Sequence, residues 1–145
     1  MTLNDIPKRL FARDITGSTV AGRSQIDVQW RAGVLLVDEP KSNGGQDLGP
    51  DPFTLILAGL VGCTLTTLRM YIRRKGWKID DIRVAANMMQ EREPFRTVIW
   101  RTVVVGQSIT LDQHDKLLYV ANNCPAARLL EGEIVIETVL DRDVP

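Results

Sequence analysis

"DPFTLILAGLVGCTLTTLRMYIRRKGW", residues 51–77, is the stretch on which the fold turns. Asp51 can accept from the free N–H groups of a first helical turn, and Pro52 suits the first helical position because it has no N–H to lose. At the other end, Arg73, Arg74 and Lys75 complement the negative pole of a helix dipole, and Gly76 can take the left-handed conformation that stops a helix. The stretch therefore predicts a helix from Pro52 to about Lys75. At 1.5 Å per residue, roughly 24 residues span about 36 Å, enough to cross a small domain. This is the expected central helix.

The flanks supply the rest of the architecture. Ser18 to Trp30 mixes β-branched and polar residues, and "RAG" leads into "VLLVDEP", which reads as a hairpin of two strands. Pro40 to Pro52 is crowded with Pro, Gly, Asn and Asp, the residues of loops. Beyond the helix, "WKIDDIRVAANMMQ" and "FRTVIWRTVVVG" are separated by the polar "EREP" and predict a second, longer hairpin. Leu111, Leu117, Leu118 and Val120 or Ala121 follow at helical spacing behind a Thr110 cap. A short helix should restart at Cys124, and Glu133 to Leu140, "EIVIETVL", alternates like a last strand. This order of elements indicates an α+β fold, helices packed on one face of a mainly antiparallel sheet. With no repeat or linker, residues 1–145 are expected to form one domain, residues 1–17 being an N-terminal arm.

Composition narrows the function. The chain has 145 residues, 44% of them apolar, so a sizeable core is within reach. Lys plus Arg balance Asp plus Glu at 18 each, so no overall field draws the protein to nucleic acid or an anionic membrane. "MTLNDIPKRLF" has no apolar run behind its charges and does not read as a secretory signal. The most membrane-like run, Phe53 to Cys63, falls short of the roughly 18 residues that span a bilayer. A cytoplasmic protein with two resting thiols is expected.

Those thiols are the chemistry-bearing residues. On a helix, Cys63 shares a face with Ile56, Gly59, Leu60, Thr67 and Met70. It either packs as a small hydrophobe where another element approaches Gly59 and Gly62, or reacts with help from a cation supplied by tertiary structure. Cys124 precedes Pro125, so it either simply caps a helix or holds its sulfur near unpaired N–H groups that favour a thiolate. The single histidine, His114, has only Asp112 and Asp115 beside it, and no metal site or cofactor is expected. "SNGGQDLG" lacks the lysine of a phosphate loop, and "RRKGWK" has an adequate explanation in the helix dipole.

Taken in order, "GPDPFTLILAGLVGCTLTTLRMYIRRKGW", a strand hairpin and "NNCPAARLLEGEIVIET" resemble the OsmC/Ohr family of osmotically inducible and organic hydroperoxide resistance proteins. The likeness runs from about Val20 to Leu140. It implies an intertwined homodimer with long central helices and active sites near the subunit interface. It also implies a thiol-dependent hydroperoxide reductase, with Cys63 as the peroxidatic residue and Cys124 as the resolving residue. Their disulfide is then reduced by an external dithiol, such as a lipoamide-bearing protein. In "AGRSQIDVQWRAG" the resemblance assigns the thiolate-stabilising arginine to Arg23, with Arg31 as the fallback. One departure stands out: Phe53 and Thr54 occupy the place of the glutamate that clamps this arginine in peroxidase members. If Asp51 caps the helix, its carboxylate is already engaged. The alternative reading is a non-catalytic module that binds an apolar or electrophilic small molecule in the dimer-interface cavity. An apolar wall of Phe53, Leu60, Met70 and partner residues would favour organic peroxides over hydrogen peroxide.

Overall fold

The computed structural model describes residues 10–140, so the first part of the expected arm lies outside the described residues. Two compact units divide the chain, Met1–Ile56 and Leu57–Pro145, the boundary falling within the long helix.

The first unit is an antiparallel meander of β1 (Thr16–Thr19), β2 (Ile26–Trp30) and β3 (Gly33–Val37). The predicted first strand is split in two, because residues 20–25 make a turn in which Gly22 has φ 77° and the Arg23 N–H bonds the Val20 carbonyl. The β2–β3 pairing runs from Ile26↔Val37 to Trp30↔Gly33, leaving Arg31 and Ala32 as the hairpin loop. Beyond β3, Asp38 is buried at 2% exposure and gathers the loop around its carboxylate. It accepts from Gln25 Nε2 at 2.9 Å, the Ser24 hydroxyl at 3.1 Å, and the backbone N–H groups of Gln46 and Leu48 at 3.1 Å each. The Gln25 hydrogen bond, opposed by desolvation and aided by the Leu48 and Gln46 N–H groups and Ser24, lowers the Asp38 pKa to about 2. Gly45 lies against the Glu39 backbone, where any Cβ would collide with the Glu39 carbonyl.

Helix α1 occupies Pro52–Lys75, the predicted span. Asp51 accepts from the N–H groups of Phe53 at 3.0 Å and Thr54 at 3.1 Å, and from the Thr54 hydroxyl. At the other end Gly76, with φ 66°, donates to Arg73 and Trp77 donates to Ile72, the paired bonds of a left-handed helix stop. By length and composition alone α1 is apolar enough to cross a bilayer, a property that the core helix of a soluble protein shares, and four of its residues are buried within the chain.

The second unit adds β4 (Ile82–Arg92) paired antiparallel with β5 (Phe95–Val105), then α2 (Leu111–Asn122) and α3 (Pro125–Glu131). Among the described residues the strands form two antiparallel sheets, within the α+β class expected. Thr110 and Gln113 form the reciprocal capping box that starts α2. The main core joins Leu68 and Ile72 of α1, Ile79, and Leu117 and Ala121 of α2. Residues 133–140 form no strand among the described residues, and Ile134, Val135, Ile136, Val139 and Leu140 are exposed. Their alternation supplies a strand's propensity, but a strand exists only through hydrogen bonds to a neighbour.

Candidate active site

The buried residues of α1 are Leu60, Thr64, Leu68 and Ile72, a row of successive i, i+4 positions. Cys63 lies beside this row and is half-buried, whereas Cys124 is fully buried. The expected close packing on Gly59 and Gly62 is absent: a Cβ at either would meet open space among the described residues.

Cys124 forms a small buried cluster with Leu60 and Ala127, and Cys63, Ile99, Ala126 and Leu130 pack against it. Both are free thiols. Cys124 is the N-cap of α3 and Pro125 its first residue, as predicted, although the cap has no side-chain hydrogen bond. The backbone N–H of Ala126 instead donates to Cys63 Sγ at 3.4 Å.

Within the second unit, Arg101 reaches this cluster. Along β5, Ile99, Arg101, Val103 and Val105 turn to the less exposed face, and Arg101 sits among them opposite the small Ala86. Arg101 Nη1 donates to the Thr64 hydroxyl at 3.0 Å and to Cys124 Sγ at 3.7 Å, while Nη2 donates to Asn122 Oδ1 at 3.2 Å. The Thr64 oxygen is also 3.5 Å from Cys124 Sγ and 2.8 Å from the Leu60 carbonyl. Burial pushes the Cys124 thiol up. The Thr64 hydroxyl, the Ala127 N–H, the Arg101 charge and the Cys63 thiol outweigh it, so the net pKa is lowered. Strand periodicity was the available signal: a cation in the row Ile99, Arg101, Val103 interrupts an apolar face and needs a buried partner.

A cavity of about 340 Å³ is lined by the apolar Leu60, Ile99, Ala127 and Leu130 and the polar Thr97, Arg101, Asn122 and Glu131, and its surface is more polar than apolar. Of the expected wall residues, only Leu60 lines it. Met70 borders a different, larger cavity with Tyr71 and Tyr119, and Phe53 is exposed in the first unit. In that unit Arg23 Nε donates to Gln25 Oε1 at 3.4 Å, and the Arg31 guanidinium lies 5.8 Å from the Trp30 ring centroid. His114 pairs with exposed Asp115 at 2.9 Å.

Comparison with known proteins gives this arrangement a context. No curated protein matches the sequence. Among solved structures, a Psychrobacter arcticus protein described as osmotic stress induced and of the detoxification response is 18% identical, with TM-score 0.67, covering 83% of this chain and 91% of its own. An organic hydroperoxide resistance protein OsmC from Legionella pneumophila is 17% identical, with TM-score 0.63 and coverages of 86% and 93%. The organic hydroperoxide resistance protein OhrB of Bacillus subtilis is 20% identical, with TM-score 0.60 and the same coverages of 86% and 93%. Identities this low establish the α+β fold these proteins share. Residues 44–139 match the model of the OsmC-like proteins, a stretch that runs from the loop before α1 through the segment after α3. The chain is therefore a member of the OsmC-like protein family.

Proposed function

We propose that this protein is a thiol-dependent hydroperoxide reductase. The observation that carries the reading is the packing of a half-buried Cys63 against a small buried cluster that holds Cys124, beside a cavity that shares Leu60 and Ala127 with that cluster. The names of related structures, several of them organic hydroperoxide resistance proteins, point the same way.

In the proposed cycle the Cys63 thiolate attacks the terminal oxygen of a hydroperoxide, ROOH. The O–O bond breaks, RO⁻ leaves and takes a proton to become the alcohol, and Cys63 becomes a sulfenic acid. Cys124 then forms the disulfide with Cys63, releasing the sulfenic oxygen as water, before the sulfur can be oxidised further. An external dithiol, such as a protein-bound lipoamide, restores both thiols. The related structures named as organic hydroperoxide resistance proteins support an organic peroxide as substrate. Arg23 is the proposed partner of the Cys63 thiolate. Its bond to Gln25, which in turn donates to Asp38, provides an acid-anchored tether where the family's glutamate is replaced by Phe53 and Thr54. No cofactor is required.

Since the matched residues run across both units, we read the chain as a single domain working as a homodimer. Ala58, Gly59 and Gly62 are exposed on α1, as are Ile56 and Met70, and the apolar 134–140 segment is uncovered. A second copy of the chain is the occupant we propose for these faces, in a cytoplasmic dimer. Sedimentation at micromolar concentration should give only dimer; a folded monomer there would overturn the assembly.

The reaction is tested by adding one equivalent of cumene hydroperoxide to reduced protein. Both thiols should be consumed and a Cys63–Cys124 disulfide found by peptide mapping, whereas Cys124→Ser should accumulate sulfenic and then sulfinic acid on Cys63. If both thiols stay free in excess peroxide, the reductase reading fails and a binding module replaces it.

A further inference from the structure

Among the described residues, the guanidinium with a hydrogen bond to one of the paired thiols is that of Arg101, and the thiol is that of the second cysteine. Arg101 reaches Cys124 Sγ at 3.7 Å, and its other two contacts, Thr64 at 3.0 Å and Asn122 at 3.2 Å, come from two different helices. A guanidinium held by two acceptors on separate elements is fixed in place, so its third contact is a position and not a chance approach. Cys124 has no exposed surface through which to meet a substrate. Its thiolate is therefore of no use for attacking a peroxide, but is well placed for attacking the neighbouring sulfur.

We propose that Arg101, held by Thr64 and Asn122, keeps Cys124 as the thiolate that resolves the Cys63 sulfenic acid. This deepens, and rests on, the reductase reading above. The step balances without a further reactant. The Cys124 thiolate attacks the Cys63 sulfur, the S–S bond forms as the S–O bond breaks, and hydroxide leaves to be protonated to water. The oxidising equivalents come from the hydroperoxide already consumed.

The lowered Cys124 pKa accords with this geometry. The titratable and charged groups facing Cys124 are Cys63 from α1 and Arg101 from β5; Asn122 from α2 and Thr64 from α1 are neutral. Glu131 of α3 lines the same cavity as Arg101 and is the one acid there. The thiol itself carries little charge at neutral pH without help, because a free cysteine titrates near 8.5. A thiolate nucleophile competes with a second peroxide for the sulfenic acid. The fraction ionised therefore sets both the rate of closure and the resistance to overoxidation.

The test has two arms. In the first, Cys124 is titrated by its ultraviolet thiolate absorbance in Cys63→Ser protein, with and without Arg101→Met. The expected result is a loss of about tenfold in thiolate fraction at pH 7, partly restored by Arg101→Lys. In the second, single-turnover experiments with cumene hydroperoxide separate loss of the first thiol from closure of the disulfide. Arg101→Met should slow closure by about tenfold at pH 7, more than it slows the first phase, and raising the pH should recover the rate. Sulfinic acid on Cys63 should rise in parallel. An unchanged Cys124 titration overturns the proposal whether or not the protein reduces peroxide. A shifted titration with unchanged closure also overturns it, by separating the charge from the step. If the parent never closes a disulfide, the reductase reading fails first and takes this proposal with it, and the titration arm records that distinction. Circular dichroism of Arg101→Met identifies a folding defect, in which case Arg101→Lys and Asn122→Ala carry both arms.

Discussion

Thr64 is one hydroxyl with several claimants. It is fully buried, donates to the Leu60 carbonyl at 2.8 Å, accepts from Arg101 at 3.0 Å, and stands 3.5 Å from Cys124 Sγ. A hydroxyl has a single proton, so the arrangement must differ between the two states of Cys124. While Cys124 is a thiol, its S–H can donate to the Thr64 oxygen and the hydroxyl proton stays on Leu60. When Cys124 ionises, that proton is better used toward the sulfur, and the Leu60 carbonyl keeps only its helical partner. Thr64→Val preserves the branched shape and removes the oxygen. Hydrogen bonds to charged groups contribute about 1.5–3 kcal/mol in general. Part of that is recovered because Arg101, relieved of Thr64, retains its contact with Cys124. A net of about 1.4 kcal/mol remains, which is about tenfold in thiolate fraction once the pKa exceeds the pH. Thiolate absorbance against pH in Cys63→Ser protein measures it, with Thr64→Ser as the variant that should restore parental behaviour. A thiolate fraction within about twofold of the parent at pH 7 would refute the reasoning and leave Thr64 as a helix-packing residue alone.

Other substitutions test other parts of the molecule. Leu68→Ala empties a completely buried position in the main core and should cost about 2–5 kcal/mol in urea denaturation, without altering the Cys124 titration. Because the Asp38 pKa is lowered to about 2, its carboxylate stabilises the fold fully above the unfolded value of 3.8 and progressively less as pH falls toward 2. Acid unfolding of Asp38→Asn should therefore show a shallower decline through that window than the parent, from a lower starting stability. If Arg23 stabilises the Cys63 thiolate, Thr54→Glu should accelerate peroxide attack by up to about tenfold in stopped-flow thiol loss. The gain should vanish in Arg23→Met/Thr54→Glu; a neutral or harmful Thr54→Glu with Arg23 intact removes that assignment.

The parts of this protein legible in its amino-acid order are those held by near neighbours. Asp51, Pro52 and Gly76 delimit α1 because capping, a missing N–H and a left-handed stop each involve residues within a few positions. Thr110 with Gln113, and Cys124 with Pro125, announce their helices for the same reason. The motifs around the two cysteines were specific enough, in sequence order, to indicate the family. Tertiary structure alone decided the rest. Arg101 is distant in sequence from both Thr64 and Asn122, and only the register of β5 turns it to the face where Cys124 lies. A strand arginine read by itself has water as its default partner, so nothing local in the sequence singled out Arg101, and Arg23 and Arg31 entered through the family resemblance. The same logic explains residues 133–140. Alternation can be read from the sequence, but a strand also needs a hydrogen-bonding neighbour brought alongside it, and no adjacent residue in the sequence specifies one.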